Sequence, residues 1–127
     1  QEAAKVLGRD LRTEADAEAA LAELAALGSA GVLLTGGHGG GDTVSDRLFV
    51  AGERRTFSGP RLAASPHGTG CALSTAVAVG LGAGLGLAEA VERAVGYVRT
   101  AVAAAVEMGR GAPLLDHRCA GSSRRGI

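Results

Sequence analysis

Between Thr13 and Leu27 apolar residues return at helical spacing, with Leu21, Leu24 and Leu27 on one face among alanines and glutamates,. The pattern predicts a helix. Thr13 caps its start, Asp16 three residues on supplies the acid of a capping box, and Gly28 ends it,. The period then changes. Gly31 to Thr35, G-V-L-L-T, is short, branched and apolar, and predicts a buried strand entering Gly36, Gly37, His38, Gly39, Gly40 and Gly41,. Helix, strand and glycine loop together read as half of a βαβ unit.

Val44 to Val50 and Arg54 to Phe57 flank Ala51-Gly52 and predict the two strands of a hairpin,. After Pro60 an irregular stretch leads to Pro66. His67-Gly68-Thr69-Gly70-Cys71 then opens an apolar helix reaching about Leu81, a buried helix that ends in a glycine loop,. Leu87 to Val106 predicts a long amphipathic helix: Ala90, Val91, Ala94, Val98 and Val102 form one stripe, opposed by Glu89, Glu92, Arg93 and Arg99,. From Gly109 onward the periodicity is lost, and the polar tail through Arg118, Gly121, Ser122 and Ser123 to Arg124, Arg125 and Gly126 is expected to be disordered,.

At 127 residues the chain fits one compact domain,. Phe49, Phe57 and Tyr97 are its only aromatics, against 21 glycines, so the interior must rely on close backbone approach and small side chains. The scarcity of rings argues against stacking single-stranded nucleic acid. Thirteen basic and thirteen acidic residues balance, and the short cluster Arg124-Arg125 does not change that; no net field gathers nucleic acid or an anionic membrane,. A small-molecule or protein partner is expected. Gly68 to Ala88 is uncharged and nearly long enough to span a bilayer, but glycines at 80, 82, 84 and 86 would each weaken a helix by about 1 kcal/mol, so no membrane span is expected,. Cys71 and Cys119 have neither zinc-site nor disulfide spacing, which suits a reducing cytoplasm,. No secretory signal is visible, and the absence of an initiator methionine leads to the expectation that the chain begins inside a longer product,.

The chemistry concentrates in Pro66-His67-Gly68-Thr69-Gly70-Cys71-Ala72-Leu73-Ser74. Two glycines strip side chains from a turn that feeds a helix start, where unpaired N–H groups and the helix dipole hold an anion such as phosphate. It is not a Walker A loop, because no lysine follows and Lys5 is the only lysine in the chain,. Cys71 falls in the first helical turn, where the positive end favours a thiolate able to take a proton from a substrate hydroxyl. The alternative is a small hydrophobic cysteine in a tightly packed helix. His67 reads equally as a substrate contact or a polar loop residue. Ser74 beside His67 lacks the G-x-S-x-G elbow of a hydrolase. His38, Asp42 and Asp46 have no recognised metal-ligand spacing and read as solvated loop polarity.

Four segments carry a family resemblance: Glu2-Ala3-Ala4-Lys5-Val6-Leu7-Gly8, Val32-Leu33-Leu34-Thr35-Gly36-Gly37-His38, the Pro66 to Ser74 segment, and Gly109-Arg110-Gly111-Ala112-Pro113-Leu114. Together they resemble the hydroxymethylpyrimidine and phosphomethylpyrimidine kinases of the ribokinase superfamily, through the N-x-x-E-A, V-L-V-K-G-G-H, T-H-G-T-G-C-T-L-S and G-x-G-x-P motifs. Cysteine in H-G-T-G-C is the discriminating residue, since sugar kinases of the superfamily carry aspartate there. The resemblance implies an α/β fold, the C-terminal half of a three-layer α/β/α ribokinase-like domain over residues 1–117, with 118–127 a tail.

It also implies ATP-dependent phosphorylation of 4-amino-5-hydroxymethyl-2-methylpyrimidine or its monophosphate, in thiamine biosynthesis. Cys71 would be the base; Gly68, Thr69 and Gly70 would form the anion hole; Thr35 and Gly37 would border the ATP phosphates; His67 would adjoin substrate; Glu2 would be associated with Mg2+. Thr35 stands where many relatives carry lysine, and Pro66 replaces a threonine. Relatives are longer, and the half not represented here carries most of the pyrimidine pocket. A pyridoxine-type vitamin B6 kinase and a non-catalytic remnant or split-kinase subunit are the alternatives, with an N-terminal-half partner or a homodimer as the expected assembly.

Overall fold

The computed structural model describes residues 2–37 and 40–118. The helices are α1 (Glu2–Leu7), α2 (Glu14–Ala25), α3 (Thr69–Gly82) and α4 (Leu87–Ala103), and the strands are β1 (Gly31–Leu34), β2 (Thr43–Val50) and β3 (Glu53–Pro60). The chain divides into two compact units, Gln1–Arg61 and Leu62–Ile127.

In the first unit α2 starts as its sequence predicts. The Asp16 N–H donates to Thr13 Oγ1 at 3.1 Å, and the Thr13 N–H donates to Asp16 Oδ2 at 2.8 Å, a reciprocal capping box. The helix stops at Ala25, short of Leu27, so Leu27 is 70% exposed while Ala20 and Leu21 are fully buried. Gly28 follows with φ +96°, a conformation that suits glycine,.

The expected half of a βαβ unit is corrected by the strand pairing: β1 runs antiparallel to β2, and β2 antiparallel to β3, in the order β1-β2-β3. The chain leaves β1 through the glycine loop and returns directly as the neighbouring strand, a short connection that permits only antiparallel pairing. The β2–β3 hairpin extends to Pro60 and turns on Ala51 and Gly52, with φ +52° and +81°. Two successive positive angles match the twist of a two-residue hairpin. Charge lies inside this sheet. Arg47 is buried and pairs with Glu14 and Glu18 of α2, donating from Nε to Glu18 Oε1 at 3.1 Å. Pairing answers the cost of burying the guanidinium and joins α2 to the strands.

The second unit is an antiparallel pair, α3 and α4. Gly80 allows the approach, since a Cβ there would lie 3.0 Å from the Ala90 Cβ. Ala90, Val91, Ala94, Val95 and Ala101 are the buried residues of α4. Val95 and Ala101 therefore take the places expected for Val98 and Val102, which are only half-buried. The helix ends at Ala103 because Val106 pairs with Leu114, each N–H donating to the other's carbonyl at 2.9 Å. That bridge corrects the disorder expected from Gly109 onward as far as Arg118; residues 119–127, with Cys119, lie outside the described residues. The buried helix expected at Thr69 to Leu81 is also corrected. No residue of α3 is buried, and Val79 is 66% exposed, because the described residues of this unit supply one helical neighbour on one side. Its end in a glycine loop is as expected, with Gly84 at φ +85°. Among the described residues no helix is long and apolar enough to cross a membrane.

Candidate active site

The helix start at α3 carries the segment that the sequence singles out. Gly68 is its N-cap, in the left-handed region at φ +87°, and no side chain caps the helix. The first intrahelical bond runs from the Ala72 N–H to the Gly68 carbonyl at 2.9 Å. The amides of Thr69, Gly70 and Cys71 precede that bond, where a helix offers its N–H groups outward. Gly70 has helical geometry and open space where a Cβ would stand. Packing among the described residues does not demand glycine there. A bare helix start favours negative charge through its amides and dipole.

Cys71 is the third residue of α3 and is exposed. Ser74 is turned away from any nucleophilic role by donating its hydroxyl to the Cys71 carbonyl at 3.1 Å. Cys71, Gly68 and His67 all border a cleft of about 950 Å³ along α3 and α4, whose walls are mainly alanine, glycine, valine and leucine. Thus the second unit brings together four expected residues, Gly68, Thr69, Gly70 and Cys71, with His67 beside them. The cleft also meets an unexpected polar pair. Tyr97 Oη and His117 Nδ1 lie 2.6 Å apart, and their rings stack at 6.2 Å between centroids and 22° between planes. Tyr97 stood out in the sequence only as a rare aromatic.

Thr35, Gly37 and Glu2 belong to the first unit. Thr35 and Gly37 follow β1 and are exposed, and Gly36 between them lies so close to β2 that a Cβ would meet the Ser45 carbonyl oxygen at 2.3 Å. The Gly36 N–H donates to Asp46 Oδ1 at 3.0 Å. His38 lies outside the described residues. Glu2 opens α1, is exposed, and has a polar partner. Among the described residues no group of three or more histidine, cysteine, aspartate or glutamate side chains converges as a metal site. Asp46, expected as solvated loop polarity, is instead buried in β2, where its carboxylate accepts the Gly36 N–H, and Arg61, which donates to the Gly37 and Gly41 carbonyls, was not foreseen. A buried Asp46-Arg47 pair amid the apolar residues of a strand was the available signal for the first.

The phosphomethylpyrimidine kinase family model matches residues 1–116. The chain belongs to that family. It is 37% identical over 118 residues to the thiamine biosynthesis bifunctional protein ThiED of Geobacter sulfurreducens, covering 91% of this chain and 24% of that protein. The hydroxymethylpyrimidine/phosphomethylpyrimidine kinase of Streptomyces coelicolor is 38% identical over 117 residues, 91% of this chain and 43% of the relative. Among solved structures, the Bacillus subtilis pyridoxal kinase in an ADP complex superposes with a TM-score of 0.89 at 25% identity, over 95% of this chain and 48% of that one. The expected ribokinase-like α/β fold is thereby established. The chain spans less than half the length of each of these relatives.

Proposed function

We propose that this family member contributes the nucleotide and anion-hole side of an ATP-dependent kinase acting on 4-amino-5-hydroxymethyl-2-methylpyrimidine or its monophosphate in thiamine biosynthesis. The observation that carries the proposal is the uncapped start of α3, with Cys71 exposed in its first turn and bordering a cleft. The amides of Thr69 and Gly70 would face the transferring phosphoryl group, and open space at Gly70 lets an anion approach the backbone,. A substrate hydroxyl would attack the γ-phosphorus and give its proton to Cys71 acting as the base. The bond from that phosphorus to the bridging oxygen breaks, and ADP leaves with the electron pair. Where the acceptor is already a phosphate, its ionised oxygen attacks without a base. Most of the barrier is lowered by positioning and charge neutralisation, which suits amide donors.

Thr35 and Gly37 would border the ATP phosphates, and His67 would adjoin substrate. Magnesium fits as an ion held chiefly by nucleotide phosphates and water, with Glu2 offering a single carboxylate. When bound it would neutralise phosphate charge. Cysteine usage suits a cytoplasmic setting. The remaining wall of the pyrimidine pocket would come from chain beyond these residues or from a partner resembling the N-terminal half.

The similarity to a solved pyridoxal kinase favours one second reading, a pyridoxine-type alcohol as acceptor. ATP turnover with hydroxymethylpyrimidine and with pyridoxine, for wild type and Cys71→Ala, tests both. The chain is assayed alone and joined to the N-terminal half of a family member. Turnover of the pyrimidine that disappears in Cys71→Ala supports the main reading; turnover of pyridoxine alone selects the second. A complete assembly that binds ATP and phosphorylates neither overturns the kinase reading.

A further inference from the structure

The cleft beside Cys71 has walls of unequal build. Two are the helices α3 and α4, which meet at Gly80 and Ala90. The third is the chain returning after α4, where Leu114, Leu115 and His117 border the cleft. That return is neither helix nor strand beyond one bridge, in which the N–H groups of Val106 and Leu114 each donate to the other's carbonyl at 2.9 Å. Its far end is tied to α4 by His117, whose Nδ1 lies 2.6 Å from Tyr97 Oη while the two rings stack at 6.2 Å between centroids. The Arg118 N–H donates to Asp116 Oδ1 at 3.0 Å, a side-chain turn that curls the chain around His117,.

A wall held by two exposed ties opens locally, at a free energy set by those ties and not by the unfolding of the helix pair. Leu114 is 51% exposed, so burial adds little to the hold. A single hydrogen bond contributes modestly in water, and an aromatic stack about as much again. We propose that residues 114–117 are a movable wall of the cleft and that Tyr97 and His117 are its latch. Closed, the latch keeps Leu114 and Leu115 against the cleft; open, it widens the space beside Cys71. Tyr97 and His117 are thus positioning residues, acting on the surroundings of Cys71 through the wall. The latch goes beyond the kinase reading and is tested without nucleotide or acceptor, so failure of one is distinguishable from failure of the other.

The test is amide hydrogen exchange in the 127-residue chain, read at Leu114 in the wall and at Val91, buried in α4. Tyr97→Phe keeps the ring and loses the hydrogen bond, so exchange at Leu114 should quicken about three- to tenfold, the range of one net hydrogen bond. His117→Ala loses bond and stack together and should quicken it about ten- to a hundredfold. Exchange at Val91 should stay at the wild-type rate in both. Unchanged exchange at Leu114 overturns the latch; equal quickening at Leu114 and Val91 also overturns it, because the pair would then hold the helices and not the wall. Access to Cys71 is read by thiol labelling in a Cys119→Ser background, where Cys71 is the sole thiol. N-phenylmaleimide, flat and bulky, should gain in rate over the small iodoacetamide when the latch is broken, more in His117→Ala than in Tyr97→Phe. A rate ratio that stays at the wild-type value while Leu114 exchanges faster overturns the link between the wall and Cys71.

Discussion

Two glycine turns carry the candidate chemistry, and they are built in opposite ways. After β1 the turn is held by side chains: Asp46 takes the Gly36 amide, Arg61 takes the Gly37 and Gly41 carbonyls, and β2 excludes a Cβ at Gly36. Before α3 the turn has no side-chain cap, and Gly70 has open space around it. Gly36 in the first turn answers the protein's own packing. Glycine at position 70 answers no contact among the described residues, despite a helix-propensity cost of about 1 kcal/mol relative to alanine,. The comparison separates a glycine that packing demands, Gly36, from one that leaves room, Gly70.

The sharpest way to break this contrast is to add the same methyl group to both turns. Gly36→Ala must displace backbone and should cost about 2 to 3 kcal/mol in urea unfolding, the usual cost of overpacking. Gly70→Ala should cost no stability, gaining up to about 1 kcal/mol, while weakening ADP binding; equal destabilisation at both sites would erase the distinction. The start of α2 supplies the control, since it is fully capped by Thr13 and Asp16. Thr13→Ala should lower stability by about 1 kcal/mol and leave ADP affinity unchanged in the same titration.

Acid should reveal that cap by a smaller effect. The backbone N–H groups of Arg12 and Thr13, donating to the Asp16 carboxylate, hold its pKa below the ordinary 3.8. A depressed folded value means that the contribution is present above the ordinary value and is lost as pH falls through the folded one. Asp16→Asn should therefore flatten the acid limb of a stability profile measured below pH 3.8. The smallest effect is expected at the hairpin, where Ala51 sits at φ +52°. Ala51→Asn, better suited to that angle, should raise the melting midpoint, by about 0.5 kcal/mol in free energy.

Much of this was legible because local chemistry decides local structure. Thr13 and Asp16 announce a helix start, Ala51-Gly52 a hairpin, and Gly68 to Cys71 a glycine turn that opens a helix. The strand direction was not legible. A strand entering a glycine loop looks alike whether the chain crosses over to a parallel neighbour or returns beside itself, and only the pairing of Leu34 with Arg47 decides. Nor was the burial of α3, whose apolar sequence invites enclosure while the described residues leave Val79 and Leu81 exposed. Arg61 was invisible for a related reason: its partners are carbonyls, which every residue carries, so nothing in the sequence marks which ones it will meet.

The crossing of α3 and α4 at Gly80 and Ala90 bears on inheritance. No amino acid is smaller than glycine, so every mutation at position 80 enlarges it and pushes the helices apart. Drift at this crossing has one direction, and the compensation it calls for must come from the facing residue. Ala90 has a single methyl group to surrender. Lineages that change position 80 should therefore carry glycine at 90, or a wider helix pair.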